Sequence, residues 1–185
     1  FIWELAVQQL AKWQKEGRDE LYISVNISTK DFQYMDVYQT ITSLVERYGI
    51  IPSTLKLEIT ETAIMMGNAG ELETIGRFRN YGFEVEIDDF GSGYSSLNTL
   101  KDIDVDVLKI DMGFLRTTRS ERVERSMSIL NMIISLSKIL GLSVVTEGVE
   151  TKDQVSRLSQ MGCGVYQGYY FSKPIPVHEF EERYM

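Results

Sequence analysis

Six apolar, β-branched segments alternate with amphipathic helical patterns along the chain, and this alternation constrains the fold more than any other feature. The segments are Tyr22–Ser28, Thr54–Glu61, Phe83–Phe90, Val105–Met112, Ser143–Glu150 and Gly164–Phe171. Helical spacing predicts helices over Asp31–Tyr48, Ala69–Asn80, Ser95–Lys101, Glu121–Leu140 and Lys152–Gln160. Two more are expected at Ile2–Lys15 and Val177–Tyr184. Gly49, Gly82, Gly141 and Gly162 fall just before strands, where a helix C-cap wants a left-handed residue. Repeated strand–helix alternation means parallel strands covered by helices. No linker or low-complexity tract divides the chain.

An α/β chain of this kind can form an open doubly wound sheet or a closed barrel, and the polar residues discriminate. Asn26, Glu58, Asp88, Asp111 and Glu147 sit near the C-terminal ends of five strands, and Gln167 lies within the sixth. A ring of polar groups fed by many strands is what a (β/α) barrel builds at its C-terminal face. An open sheet gathers its ligand site at one switch point instead. The expectation is a modified TIM-like barrel. Six strands fall short of eight, so about two are expected upstream of Phe1. The chain also starts inside a helical pattern without a Met, as a piece of something longer would.

Composition removes several function classes. Lys and Arg number 19 against 27 Asp and Glu, a net charge of −8, which argues against a basic groove for long nucleic acid. A phosphate-bearing substrate is still compatible if cations are bound. One Cys, Cys163, excludes an internal disulfide and a Cys-based metal centre. His178 is the only His, which excludes a His-rich metal site. The first residues are amphipathic rather than a signal peptide, and Met127–Val145 is too often interrupted by polar residues for a membrane span. A cytoplasmic domain is expected, whatever anchors its parent.

Side chains alternate along a strand. Lys56, Glu58 and Thr60 therefore share a face, as do Glu84, Glu86 and Asp88, and Val107, Lys109 and Asp111. Asn26, Glu58, Asp88, Lys109, Glu147 and Gln167 can converge. Asp89 points away by strict alternation unless the chain bends before Gly91. Clustered carboxylates cannot all stay ionised without a cation, and oxygen-only ligands suit Mg²⁺ or Mn²⁺. Adjacent Asp88 and Asp89 could bridge two ions about 3.5–4 Å apart, a spacing used to displace groups on phosphorus. Plainer readings exist: Asp88-Asp89 before Gly-Ser-Gly also fits a turn, and Lys109 could be a structural partner for Glu86. Asp89-Phe90-Gly91 lacks the other kinase motifs. His178 reads as a surface residue and Cys163 as a buried one. Tyr166, Tyr169, Tyr170 and Phe171 read mostly as core, with room for one ring to stack a base.

Six stretches together resemble the successive motifs of the EAL domain family, bacterial cyclic di-GMP phosphodiesterases. They are Ser24-Val25-Asn26-Ile27-Ser28, Leu57-Glu58-Ile59-Thr60-Glu61, Asp88-Asp89-Phe90-Gly91-Ser92-Gly93-Tyr94-Ser95-Ser96-Leu97, Leu108-Lys109-Ile110-Asp111, Thr146-Glu147-Gly148-Val149-Glu150 and Gln167-Gly168-Tyr169. The resemblance runs in order over essentially the whole chain, residues 1–185. It implies a modified (β/α) barrel that binds two Mg²⁺ or Mn²⁺ ions and hydrolyses cyclic di-GMP to linear pGpG. It further implies that Asn26, Glu58 and Asp88 bind one ion, and Asp89 and Glu147 the second, with Asp88 bridging. Lys109 would hold the attacking water, with Glu150 catalytic beside it and Gln167 and Asp111 in support. The loop Gly91, Ser92, Gly93, Tyr94 and Ser95 would link the site to a homodimer interface. Sensory or GGDEF domains are expected elsewhere in the parent.

The sequence departs from the family in two places. The Glu-Ala-Leu signature, whose Glu belongs to the first ion, does not occur and is expected upstream of Phe1. Asp31 stands where the family is expected to prefer Gln. A catalytically incomplete domain that binds or regulates through cyclic di-GMP is therefore the alternative function. A two-carboxylate glycosidase is a remote third class.

Overall fold

The computed structural model describes residues 1–91, 103–115 and 120–185. Helix α1 (Ile2–Lys15) precedes strand β1 (Ile23–Ile27). Then come α2 (Thr29–Tyr34), α3 (Val37–Tyr48), β2 (Leu55–Thr60), α4 (Glu61–Met66), α5 (Ala69–Tyr81) and β3 (Glu84–Phe90). Strand β4 (Val107–Ile110), helix α6 (Ser120–Ile139), β5 (Ser143–Thr146), α7 (Lys152–Gln160), β6 (Val165–Tyr166) and α8 (Val177–Tyr184) complete the chain. The strands are parallel, in the order β1-β2-β3-β4-β5-β6.

The two faces of the sheet differ sharply in chemistry. Val25, Ile27, Leu55, Leu57, Ile59, Val85, Ile87, Leu108 and Ile110 are buried in one core with Val7 and Leu10 of α1, Ile41 of α3, Phe78 of α5 and Ile134 of α6. The residues between them, Ser24, Lys56, Glu58, Glu84, Glu86, Asp88 and Lys109, are polar. They turn inward, where side chains from every strand of the sheet, Ser24 of β1 and Val165 of β6 included, line one cavity of 310 Å³. The sheet therefore curls far enough for its two edge strands to face a common space.

Two helical boundaries differ from expectation. The stretch Asp31–Tyr48 is two helices, because Asp36 caps α3 by accepting the Gln39 N–H. Asp31 closes a reciprocal capping box with Ser28 at the start of α2, so it serves the turn after β1. The segment after Glu61 forms α4, capped by the Thr60 hydroxyl. Gly49, Gly82, Gly141 and Gly162 all take positive φ. The expected helix Ser95–Lys101 lies outside the described residues.

The first and last helices are tied together. Glu181 of α8 accepts hydrogen bonds from Gln9 (3.0 Å), Lys12 (2.7 Å) and the Trp13 indole (2.9 Å) of α1. Among the described residues no helix is long and apolar enough to cross a membrane.

Candidate active site

Strand β3 delivers two successive carboxylates to one place by breaking its own register. Ile87 pairs with Leu108, but the next pair is Phe90 with Ile110, so β3 carries one extra residue. Asp89 lies in that interval at φ +55°. Few residues with a Cβ adopt this left-handed conformation, and Asp is among those that tolerate it. Bulges re-aim side chains in this way. Oxygen atoms of Asp88, Asp89 and Glu147 consequently all lie within 4.8 Å of one another. The bend expected before Gly91 is thus a bulge inside the strand.

Lys109 projects from β4 into the middle of this acid group. Its Nζ lies 2.6 Å from Glu58 Oε1, 2.9 Å from Asp88 Oδ1 and 2.8 Å from Glu147 Oε1. Burial alone would favour the neutral amine, but the hydrogen bonds that Lys109 donates to Glu147, Glu58 and Asp88 outweigh it and push the lysine well above its ordinary value. One ammonium serves three carboxylates. Burial, aided by mutual repulsion and only partly offset by Lys109, therefore raises both Glu58 and Glu147. Asp89 is raised as well, by burial and by the charges of Asp88 and Asp111. An oxygen-only donor set with surplus negative charge fits a hard divalent cation such as Mg²⁺ or Mn²⁺.

The remaining expected site residues spread around this centre. Asn26 is level with Glu58 across β1 and β2; it is exposed, and its carbonyl accepts the Trp3 indole N–H at 3.0 Å. Asp111 caps the turn after β4 by accepting the Gly113 N–H at 2.7 Å. Glu150 lies beyond β5, exposed, with its backbone N–H bound to Gln154 at 2.8 Å. Gln167 follows the two-residue β6 and lines the inner cavity with Glu58, Glu86 and Lys109. Gly168, at φ 158°, lies so close to the Val149 backbone that a Cβ would collide with it. Gly91 is at φ +93°, where a Cβ would meet the Phe114 ring. Ser92, Gly93, Tyr94 and Ser95 lie outside the described residues.

Three features were not foreseen. Glu61, 6% exposed, accepts the Gly91 N–H at 2.8 Å, linking the end of β2 to the end of β3. An acid directly after a Thr cap, Thr60-Glu61, was the available signal. Glu86 pairs with Lys56 (3.5 Å) and the Ser24 hydroxyl (3.1 Å), whereas among the described residues Lys109 pairs with Glu58, Asp88 and Glu147. Tyr169, Tyr170 and Phe171 are substantially exposed rather than core, because the apolar run continues past β6 into a turn. His178 is exposed and Cys163 buried, as expected.

The EAL domain model matches residues 1–174. This chain belongs to the EAL domain family. The EAL domain is 32% identical over 181 residues to the cyclic di-GMP phosphodiesterase RocR of Pseudomonas aeruginosa, covering 97% of this chain and 46% of RocR. Among solved structures it resembles the PaMucR phosphodiesterase in its c-di-GMP complex, with a TM-score of 0.88 and 32% identity over 97% of this chain and 72% of that one. BlrP1 of Klebsiella pneumoniae, solved as a manganese/cy-diGMP complex, gives a TM-score of 0.80 and 25% identity over 93% of this chain and 44% of that one. Related EAL domains are TIM-like barrels, which agrees with the curled parallel sheet. The chain spans less than half the length of the curated relatives it matches first.

Proposed function

We propose that this EAL domain hydrolyses one phosphodiester bond of cyclic di-GMP, giving linear pGpG, with two Mg²⁺ or Mn²⁺ ions. The observation that carries this reading is the Lys109 ammonium among Glu58, Asp88 and Glu147, with Asp89 turned toward the same point. Asn26, Glu58 and Asp88 would hold one ion, and Asp88, Asp89 and Glu147 the other. Such ions polarise phosphoryl oxygens and lower the pKa of water. Lys109 keeps its proton in this acid environment, so it offers a positive charge and donor hydrogens where negative charge develops. Gln167 lines the cavity beside Lys109, and together with Glu150 it would orient substrate and water. A homodimer through the segment after Gly91, further domains in the parent and a cytoplasmic location belong to the same proposal.

A second reading holds where no Glu-Ala-Leu segment accompanies these 185 residues in the protein. On that reading the domain binds cyclic di-GMP without cutting it. The experiment is to incubate the protein carrying this domain with cyclic di-GMP and Mg²⁺ or Mn²⁺ and follow the products chromatographically. Linear dinucleotide is expected. Retained nucleotide and cation binding without turnover would establish the binding module instead.

A further inference from the structure

The inside of the sheet carries a second buried ion pair that the proposed chemistry does not use. Lys56 Nζ lies 2.6 Å from Glu84 and 3.5 Å from Glu86, and rests 3.9 Å from the centre of the Tyr22 ring. Glu86 is 3% exposed and also accepts the Ser24 hydroxyl. TIM-barrel interiors are ordinarily filled by Val, Ile and Leu. A buried ion pair is weak evidence for stability, since apolar replacements are often as stable or more so. The pair therefore calls for a role other than packing.

Position supplies one. Glu86 lies directly beside Glu58 in the β2–β3 register and shares the β3 face of Asp88, two residues on. It lines the same cavity as Glu58 and Lys109. Its two partners hold it in one orientation, and its charge also reaches Glu58. A fixed charge at such range in a poorly solvated interior acts strongly on an ion nearby. Lys56 lies lower on β2 and carries the opposite sign.

We infer that Glu86 is a positioning residue whose charge, held by Lys56 and Ser24, sets how tightly the carboxylates beside it bind a divalent cation. This rests on the cation reading of the site given above. The test is calorimetric titration of Mn²⁺ into the wild-type protein, Glu86→Gln and Lys56→Met. Glu86→Gln should weaken Mn²⁺ binding by about fivefold or more, and Lys56→Met should tighten it by about twofold or more. Both substitutions break the same ion pair, so a purely structural role would move both affinities in one direction. Shifts of the same sign, or no shift, overturn the inference. Should Glu86→Gln fail to fold, Lys56→Met decides alone: tighter binding supports the inference, and unchanged or weaker binding overturns it. Wild-type protein that takes up no Mn²⁺ would remove the cation reading itself, and this inference with it. Wild-type binding without opposed shifts removes only the inference.

Discussion

Asp89 follows Asp88 at φ +55°, and that one left-handed residue brings both carboxylates within reach of Glu147. Conformation and charge at this position can be separated by substitution. Asp89→Asn keeps a side chain that tolerates the conformation and should change stability by less than about 1 kcal/mol. Asp89→Val should cost about 1–2 kcal/mol, because a β-branched side chain resists positive φ. Both should weaken Mn²⁺ binding. Urea unfolding and calorimetry check the two parts independently.

Lys109→Ala leaves Glu58, Asp88 and Glu147 crowded without their shared cation. The cation-free protein should lose about 3–5 kcal/mol, and Mn²⁺ should restore much of the loss. Metal binding should survive while turnover falls by about 10²–10³-fold or more. Asp88→Asn, by contrast, should damage both binding and turnover. Thermal melts with EDTA or Mn²⁺, alongside the hydrolysis assay, distinguish these outcomes.

The raised carboxyls predict a pH dependence of definite sign. Glu58 and Glu147 hold protons more tightly folded than unfolded, so the folded state binds more protons in the window between the two values. Stability from these groups then falls as pH rises from the ordinary carboxylate range through their elevated folded values. Lys109, raised as well, contributes stability that is fully present below its ordinary value and is lost only in strong alkali. Cation-free Glu147→Gln should accordingly gain in melting temperature relative to wild type as pH rises from 4 to 8. Mn²⁺ affinity should fall on acidification before ordinary surface carboxylates titrate. Melts and titrations across that range check both statements.

Glu61 accepts the Gly91 N–H from a buried position. Glu61→Ala removes that acceptor and, because Gly91 is exposed to water, should cost about 0.5–1.5 kcal/mol. Glu61→Gln retains an acceptor oxygen and should cost less. Denaturant midpoints of the two variants give the comparison.

Much of this arrangement was legible in the residues, for reasons that also explain the gaps. The apolar set Leu55, Leu57, Ile59 and Val85, Ile87 alternates cleanly with charged residues, so strand positions and the inward face could be read directly. Strand ends were read too long where hydrophobic residues run on: β5 stops at Thr146 and β6 at Tyr166, leaving Glu147 and Gln167 on the connections. The break at Asp36 and the helix after Thr60 were missed because a cap is a local hydrogen bond that periodicity does not register. Lys109 could be assigned to the site, but which acids surround it depends on the stagger between strands. That stagger turns on the extra residue in β3, which no alternation rule announces.

Glu181 has a consequence for how the chain is made. Its donors on α1 lie 168 to 172 residues earlier. At a synthesis rate of about 5–20 residues per second, α1 waits roughly 8 to 34 seconds for α8. Until then the Trp13 indole has no acceptor in the last helix and no Phe180 ring beside it. The Trp13 face of α1 is thus covered late in the making of this domain, after the contacts of α1 with Ile41 of α3 are available.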